Sequence, residues 1–242
     1  MTHLAARRFF NSVKPITVAT LLACATMSAQ AADGVVIIGD SLSDGGYYAA
    51  VGGQRFTTNP GKTAAEYIAE GLGFTTTPSN QGGTNYAQGG AKVNSNSLST
   101  PAGFAQRPIS TQVTEVLTAN AGKDLSNTAF LIQGGANDAF QNMTMYSSGY
   151  ISQAQLTALT QQSVVDFVTQ VAKLSKLTGS QQIIVQNLPN LGATPAFQSL
   201  GAAAAAGATQ LAQGFNAGVS QGLNQLGLSV VLLDNYTMLS EV

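Results

Sequence analysis

The chain has 242 residues, enough for one domain with a sizeable core. Charged residues make up only 9%, far below the roughly 25% of an average soluble protein, so surface polarity rests on Ser, Thr, Asn, Gln and Gly. Ten basic and eleven acidic side chains give a net charge of −1, with no basic patch of the kind that binds nucleic acid.

The first segment reads as a secretory leader. Arg7, Arg8 and Lys14 form a basic stretch ahead of "PITVATLLACATM", an apolar run too short to span a bilayer comfortably. "AQA" (29–31) supplies the small residues of a cleavage site, which predicts a signal peptide over 1–31 and a secreted, periplasmic or cell-surface protein. An uncleaved anchor and a lipoprotein attached at Cys24 are the alternatives. Cleavage after Ala31 is preferred, because the apolar run continues past Cys24. Without 1–31, seven basic side chains face eleven acidic ones, a net charge of −4. The only cysteine, Cys24, and the only histidine, His3, leave with the leader. The mature part then holds no disulfide and no cysteine–metal site.

"GVVIIG" (34–39) is a short β-branched run, the pattern of a strand buried on both faces. "TAAEYIAEGLG" (63–73) predicts a helix stopped by glycine. "TNYAQGGA" (84–91) reads as a short strand running into a tight turn, and "ISTQVTEVLTA" (109–119) as a second helix. "TAFLIQGGAND" (128–138) is a buried strand entering a glycine loop. Val164, Phe167, Val168, Val171 and Leu174 share one helical face, and Gly179 ends that helix. "QQIIVQNL" (181–188) is a strand, 198–226 is helical, and "LSVVLLD" (228–234) is a last strand. "GAAAAAG" (201–207) forms the first turns of the late helix, and Gly214, Gly218 and Gly222 give it a small face suited to close packing on a sheet. Strands alternating with helices imply a parallel sheet covered on both faces.

Sites in open parallel α/β sheets form beyond the carboxyl ends of the strands. Three such ends are chemically loaded: Gly39-Asp40-Ser41, Gly89-Gly90, and Gly134-Gly135-Ala136-Asn137-Asp138. A hydroxyl, glycine amides and a carboxamide are what acyl transfer needs, a nucleophile plus hydrogen-bond donors for an oxyanion. The simpler alternative is a set of ordinary strand-exit turns. "PGKT" (60–63) is not a phosphate loop, because Phe56 stands where the first glycine is required. The Ser41 context is not a G-x-S-x-G elbow, because Ser43 replaces its last glycine.

"GDSLSDGG" (39–46), "NYAQGGA" (85–91) and "GGAND" (134–138) resemble, in order, the first three blocks of the GDSL, or SGNH, hydrolases. "QRFTTNPGKTAAEYIAEGLG" (54–73), "LPNLGATPA" (188–196), "FNAG" (215–218) and "LLDNYTMLSEV" (232–242) are similar to further segments of the larger secreted or autotransporter-type GDSL esterases. The resemblance implies a flavodoxin-like three-layer α/β/α domain over 32–242 with a five-stranded parallel sheet. It implies a serine esterase or lipase without metal or cofactor. Ser41 matches the nucleophile and gives one oxyanion donor through its own N–H. Gly90 matches a second backbone donor and Asn137 a side-chain donor. Asp40, Asp44 and Asp138 are expected to brace these groups. The expected partner is an ester, whether short-chain, lipid or acetylated polysaccharide.

The family's base and its orienting acid come from a final Asp-x-x-His block, which this sequence lacks. The expectation is therefore a domain incomplete at its C-terminus. The missing segment, or an autotransporter barrel, would follow, and the chain as given would have little activity and an uncovered sheet face. The competing reading is a degenerate, non-catalytic domain that binds esters or glycans.

Overall fold

The computed structural model describes residues 32–58, 60–95, 100–179 and 182–240. The expected leader, with His3, Cys24 and the cleavage point after Ala31, lies outside them. Four strands, β1 (Gly34–Ile38), β2 (Thr128–Gln133), β3 (Ile183–Gln186) and β4 (Val231–Leu233), form a parallel sheet in the order β1-β2-β3-β4. β1 and β2 run in step, Gly34 opposite Thr128 and Ile38 opposite Ile132, so their exits lie side by side. β2 is buried along its whole length, as its unbroken apolar run requires.

Five strands were expected, and the described residues contain four. The fifth position is occupied, but not by a regular strand. Residues 84–88 lie along the free edge of β1. Ile37 N–H donates to Thr84 O (3.0 Å), Tyr86 N–H to Ile37 O (2.7 Å) and Gln88 N–H to Gly39 O (3.1 Å). Only one isolated parallel bridge results, between Ile37 and Asn85. Glycine pairs at 82–83 and 89–90 turn the chain at both ends before a ladder can develop.

Alternate strand residues face opposite layers. Val36, Ile38, Phe130, Ile132, Ile183 and Val185 meet helices α2 (Ile109–Ala119), α3 (Ala136–Ser147), α4 (Gln153–Leu174) and α6 (Ala202–Gln225). Val35, Ile37, Ala129 and Leu131 meet Ala65 and Ala69 of α1 (Ala64–Gly71) on the other face. The architecture is the three-layer α/β/α arrangement. α1 starts at a capping box, with Thr63 Oγ1 accepting from Glu66 N–H and Glu66 accepting from Thr63 N–H. Ser152 and Gln155 build the same box at the start of α4.

Three elements differ from expectation. The stretch after Gly135 does not continue as a loop, because α3 starts at once. The late helix begins at Ala202, after Gly201, rather than at 198, and a single turn α5 (Pro195–Gln198) precedes it. The last strand is only three residues, and a short helix α7 (Asn235–Ser240) follows it. The glycine face of α6 also has a different partner from the one expected. A Cβ on Gly218 would lie 3.1 Å from Val164, and one on Gly222 2.9 Å from Val168. The small residues therefore seat α6 against α4, while Ala208, Ala212, Phe215, Val219 and Leu223 carry it into the core.

Candidate active site

Ser41 stands in the turn that leaves β1. Gly39, just before it, is gripped on both main-chain groups. Its N–H donates to Gln112 Oε1 and its carbonyl accepts from Gln112 Nε2, both at 2.9 Å. A side chain at 39 has no room, because its Cβ would fall 2.8 Å from Ser43 Cβ. Asp40 is buried. One carboxylate oxygen accepts from Leu42 N–H (3.0 Å) and the other from Gln133 Nε2 (2.9 Å). Ser43 N–H donates to Asp40 O (3.1 Å). Ser41 is thus enclosed in a turn closed by its own neighbour, a local side-chain-to-backbone motif. Among the described residues neither its N–H nor its hydroxyl has a hydrogen-bond partner.

Asp44 joins this turn to the next strand exit. Its Oδ1 accepts from Gly46 N–H (2.8 Å) and Tyr47 N–H (2.6 Å), and its Oδ2 accepts from Gly89 N–H (2.8 Å). Buried Asn85 makes a parallel link, donating to Ser43 O (2.9 Å) and accepting from Ala87 N–H (3.0 Å). The Gly89 N–H is committed, whereas that of Gly90 has no partner among the described residues. Gly90 has φ +80°, a conformation that costs other L-residues roughly 1–2 kcal/mol.

The third exit is tied to the second. Asn137, on the first turn of α3, donates through Nδ2 to Ala91 O (2.8 Å). One amide hydrogen is used in this way and one remains. Asp138 accepts from Val93 N–H (2.9 Å) and from the Ser163 hydroxyl (3.3 Å), which anchors α3 to 91–93 and to α4. Bonds through Asp44 and Asn137 therefore bring together the segments that carry Ser41, Gly90 and Asn137.

Electrostatically the site is a cluster of buried acids. Burial pushes the Asp40 carboxyl up to about 6, and the like charges of Asp138 and Asp44 push the same way. Burial likewise raises Asp138, with Lys92 beside it opposing. None of the three accepts from Ser41, and the oxygens of each are engaged by other donors. The described residues contain no histidine. Among them no group of three His, Cys, Asp or Glu side chains is disposed to hold a metal ion.

Several residues here were not singled out from sequence. Gln133 ends β2 as the one polar residue after a fully apolar run, and Gln112 occupies a buried position on α2. A buried glutamine at a strand end is the signal that would have found them. Tyr48 donates its hydroxyl to Gly89 O (3.2 Å) and packs edge-on against Tyr47 and Phe104, with ring centres 5.5 and 5.1 Å away. Arg107 covers the Tyr47 ring at 4.6 Å. These rings wall the Gly89–Gly90 turn. A groove of about 910 Å³ lies between α4 and α6, and no predicted site residue lines it.

Against known proteins, the family model described as GDSL-like Lipase/Acylhydrolase matches residues 35–241. No curated protein matches the sequence. Solved structures similar to the chain include a lipase from goat rumen metagenome, at 17% identity and TM-score 0.46, covering 84% of this chain and 81% of that one. A catalytic mutant of the acetylxylan esterase Axe2 from Geobacillus stearothermophilus aligns at 14% identity and TM-score 0.45, over 86% and 78%. An extracellular lipase from Streptomyces rimosus aligns at 18% and 0.43, over 86% and 82%.

Proposed function

The chain belongs to the GDSL-like lipase/acylhydrolase family and so to the carboxylic-ester hydrolases, and from that membership we propose that it works through an acyl-enzyme on Ser41. The observation that carries this reading is the pattern of free and committed donors. Among the described residues, Ser41 N–H, Gly90 N–H and one Asn137 amide hydrogen have no partners, while their neighbours Gly89 and Leu42 are bonded to carboxylates. Free donors on three convergent segments are what an oxyanion requires.

In the first step the Ser41 oxygen bonds to the ester carbon, and its proton passes to a base. The three donors hold the oxyanion. The C–O bond to the alcohol then breaks, and the base returns the proton to the leaving alcohol. Water repeats the sequence on the acyl-enzyme, releasing the acid and restoring the Ser41 hydroxyl. Asp40 does not suit the base's role, since both its oxygens are engaged and it is shut off from solvent. We therefore assign the proton acceptor to a group other than Asp40, Asp44 and Asp138, whose oxygens are all engaged.

The proposed substrates are small-molecule or lipid carboxylic esters. A signal peptide over 1–31 and a secreted or cell-surface location belong to the same proposal. No helix of the described residues is long and apolar enough to cross a membrane. The test is a fluorophosphonate probe on the full chain and on a C-terminally extended form, read by mass spectrometry, beside a p-nitrophenyl ester panel. A Ser41 adduct, and loss of turnover in Ser41→Ala, are expected. A label on another residue, or undiminished turnover in Ser41→Ala, sinks the assignment.

A further inference from the structure

We propose that Gln133 is a positioning residue for Ser41, acting through Asp40; this builds on the reading of Ser41 as nucleophile. Gln133 closes β2, the strand beside β1, and is wholly buried. It holds Asp40 at two points. Its Nε2 donates to Asp40 Oδ2 (2.9 Å), and its Oε1 accepts from Asp40 N–H (3.4 Å). The other Asp40 oxygen closes the turn over Ser41 through Leu42 N–H, and Asp40 O receives Ser43 N–H. Each of these bonds within the turn ends on Asp40. Among the described residues, Gln133 is the only group outside the turn that bonds Asp40.

The chemistry demands a carboxamide. It presents a donor and an acceptor on one neutral planar group at every ordinary pH. An apolar side chain of the same length would leave a buried N–H and a buried carboxylate oxygen unpaired. Ser41 itself has no hydrogen bond among the described residues to fix its direction, so the direction of its N–H and hydroxyl follows the turn. Gln112 performs the corresponding grip on Gly39 one residue earlier, which confines the turn's freedom to Asp40.

Two variants of the full chain test this, read as the rate of fluorophosphonate labelling at Ser41 relative to wild type. Gln133→Met removes both bonds. Labelling should fall by about 10- to 100-fold at every pH, the cost of a small misplacement of a reacting group. For a p-nitrophenyl ester kcat should fall while KM stays within about twofold. Gln133→Glu keeps the shape and can donate to Asp40 only while one of the two carboxyls holds a proton. Two carboxyls sharing a buried site raise one pKa strongly, so its relative rate should be near wild type at about pH 5 and fall toward that of Gln133→Met by about pH 9. Asp44, Asp138 and Lys92 also face this region, but they are common to all three proteins and cancel in the ratio. Wild-type labelling in Gln133→Met, or a relative rate for Gln133→Glu that ignores pH, overturns the proposal alone. Absence of a Ser41 adduct in the wild-type full chain and in its C-terminally extended form alike overturns the nucleophile reading and this proposal with it. Should Gln133→Met fail to fold, the pH dependence of Gln133→Glu decides.

Discussion

Asp44→Asn changes one atom and should cost both stability and rate. The wild-type carboxylate accepts three backbone N–H bonds, two on one oxygen and one on the other. An asparagine has one acceptor oxygen, and the two donors at Gly46 and Tyr47 will claim it. Its NH2 then faces the Gly89 N–H, donor against donor. One charge-assisted bond is lost outright, a cost of about 1.5–3 kcal/mol. For a domain of this size that corresponds to a Tm lower by roughly 5–10 °C. The lost bond is also the tie that places Gly89 and, one residue on, Gly90. Ester turnover should therefore fall by about tenfold or more under conditions where the variant is fully folded. Circular-dichroism melting gives the first quantity, and initial rates well below the variant's Tm give the second. A variant with wild-type Tm refutes the bond count. A variant that melts low but turns over normally when folded refutes the link from Asp44 to the Gly90 donor.

Two further substitutions address other parts of the site. Asn137→Ala should lower kcat by about 10²–10³ with little change in KM, as for a lost oxyanion donor; steady-state kinetics decide, and an effect on KM alone would leave Asn137 a binding residue only. Asp40 predicts a pH dependence of stability. Its folded pKa is raised to about 6 from an ordinary 3.8, so between these values the folded state holds the proton more tightly than the unfolded one. Its contribution is present below about pH 4 and lost as pH rises to about 6, a change of about 3 kcal/mol. Urea titrations across this range should show wild type losing stability relative to Asp40→Asn, and a constant difference between the two would contradict the burial argument.

The order of strands and helices could be read from the chain because each core strand is built on a short run of apolar residues and each long helix keeps its apolar spacing. "ISTQVTEVLTA" became α2 with the expected bounds, and β2 starts at Thr128, the first residue of the expected strand. The departures have local causes. α3 is hard to read from sequence because Ala136, Ala139, Phe140 and Met143, which pack on the core, are interleaved with polar residues right after a glycine pair. Beside β1 the expected fifth strand is reduced to one isolated bridge, Ile37 with Asn85, because glycine pairs bracket it. At the site, the three strand exits were visible as motifs, but the groups that join them were not. Asp44 reaches 45 residues along the chain to Gly89, and Gln133 reaches 93 back to Asp40. Local pattern carries no information on such pairings. The small face of α6 was legible as small, while the choice of α4 over the sheet as its neighbour depends on where the chain returns.

The carboxamides at the strand exits have a consequence for where such a protein can operate. Gln112, Gln133, Asn85 and Asn137 hold their partners with neutral groups, at buried or half-buried positions. Such groups neither gain nor lose protons over ordinary pH, and dissolved ions have little grip on them, because screening acts on charges and most strongly on exposed ones. Together with the buried Asp40 and Asp44, whose carboxylates lie where screening is weak, these carboxamides make links at the strand exits that salinity should change little. Brine and fresh water should find the Ser41 turn in the same shape.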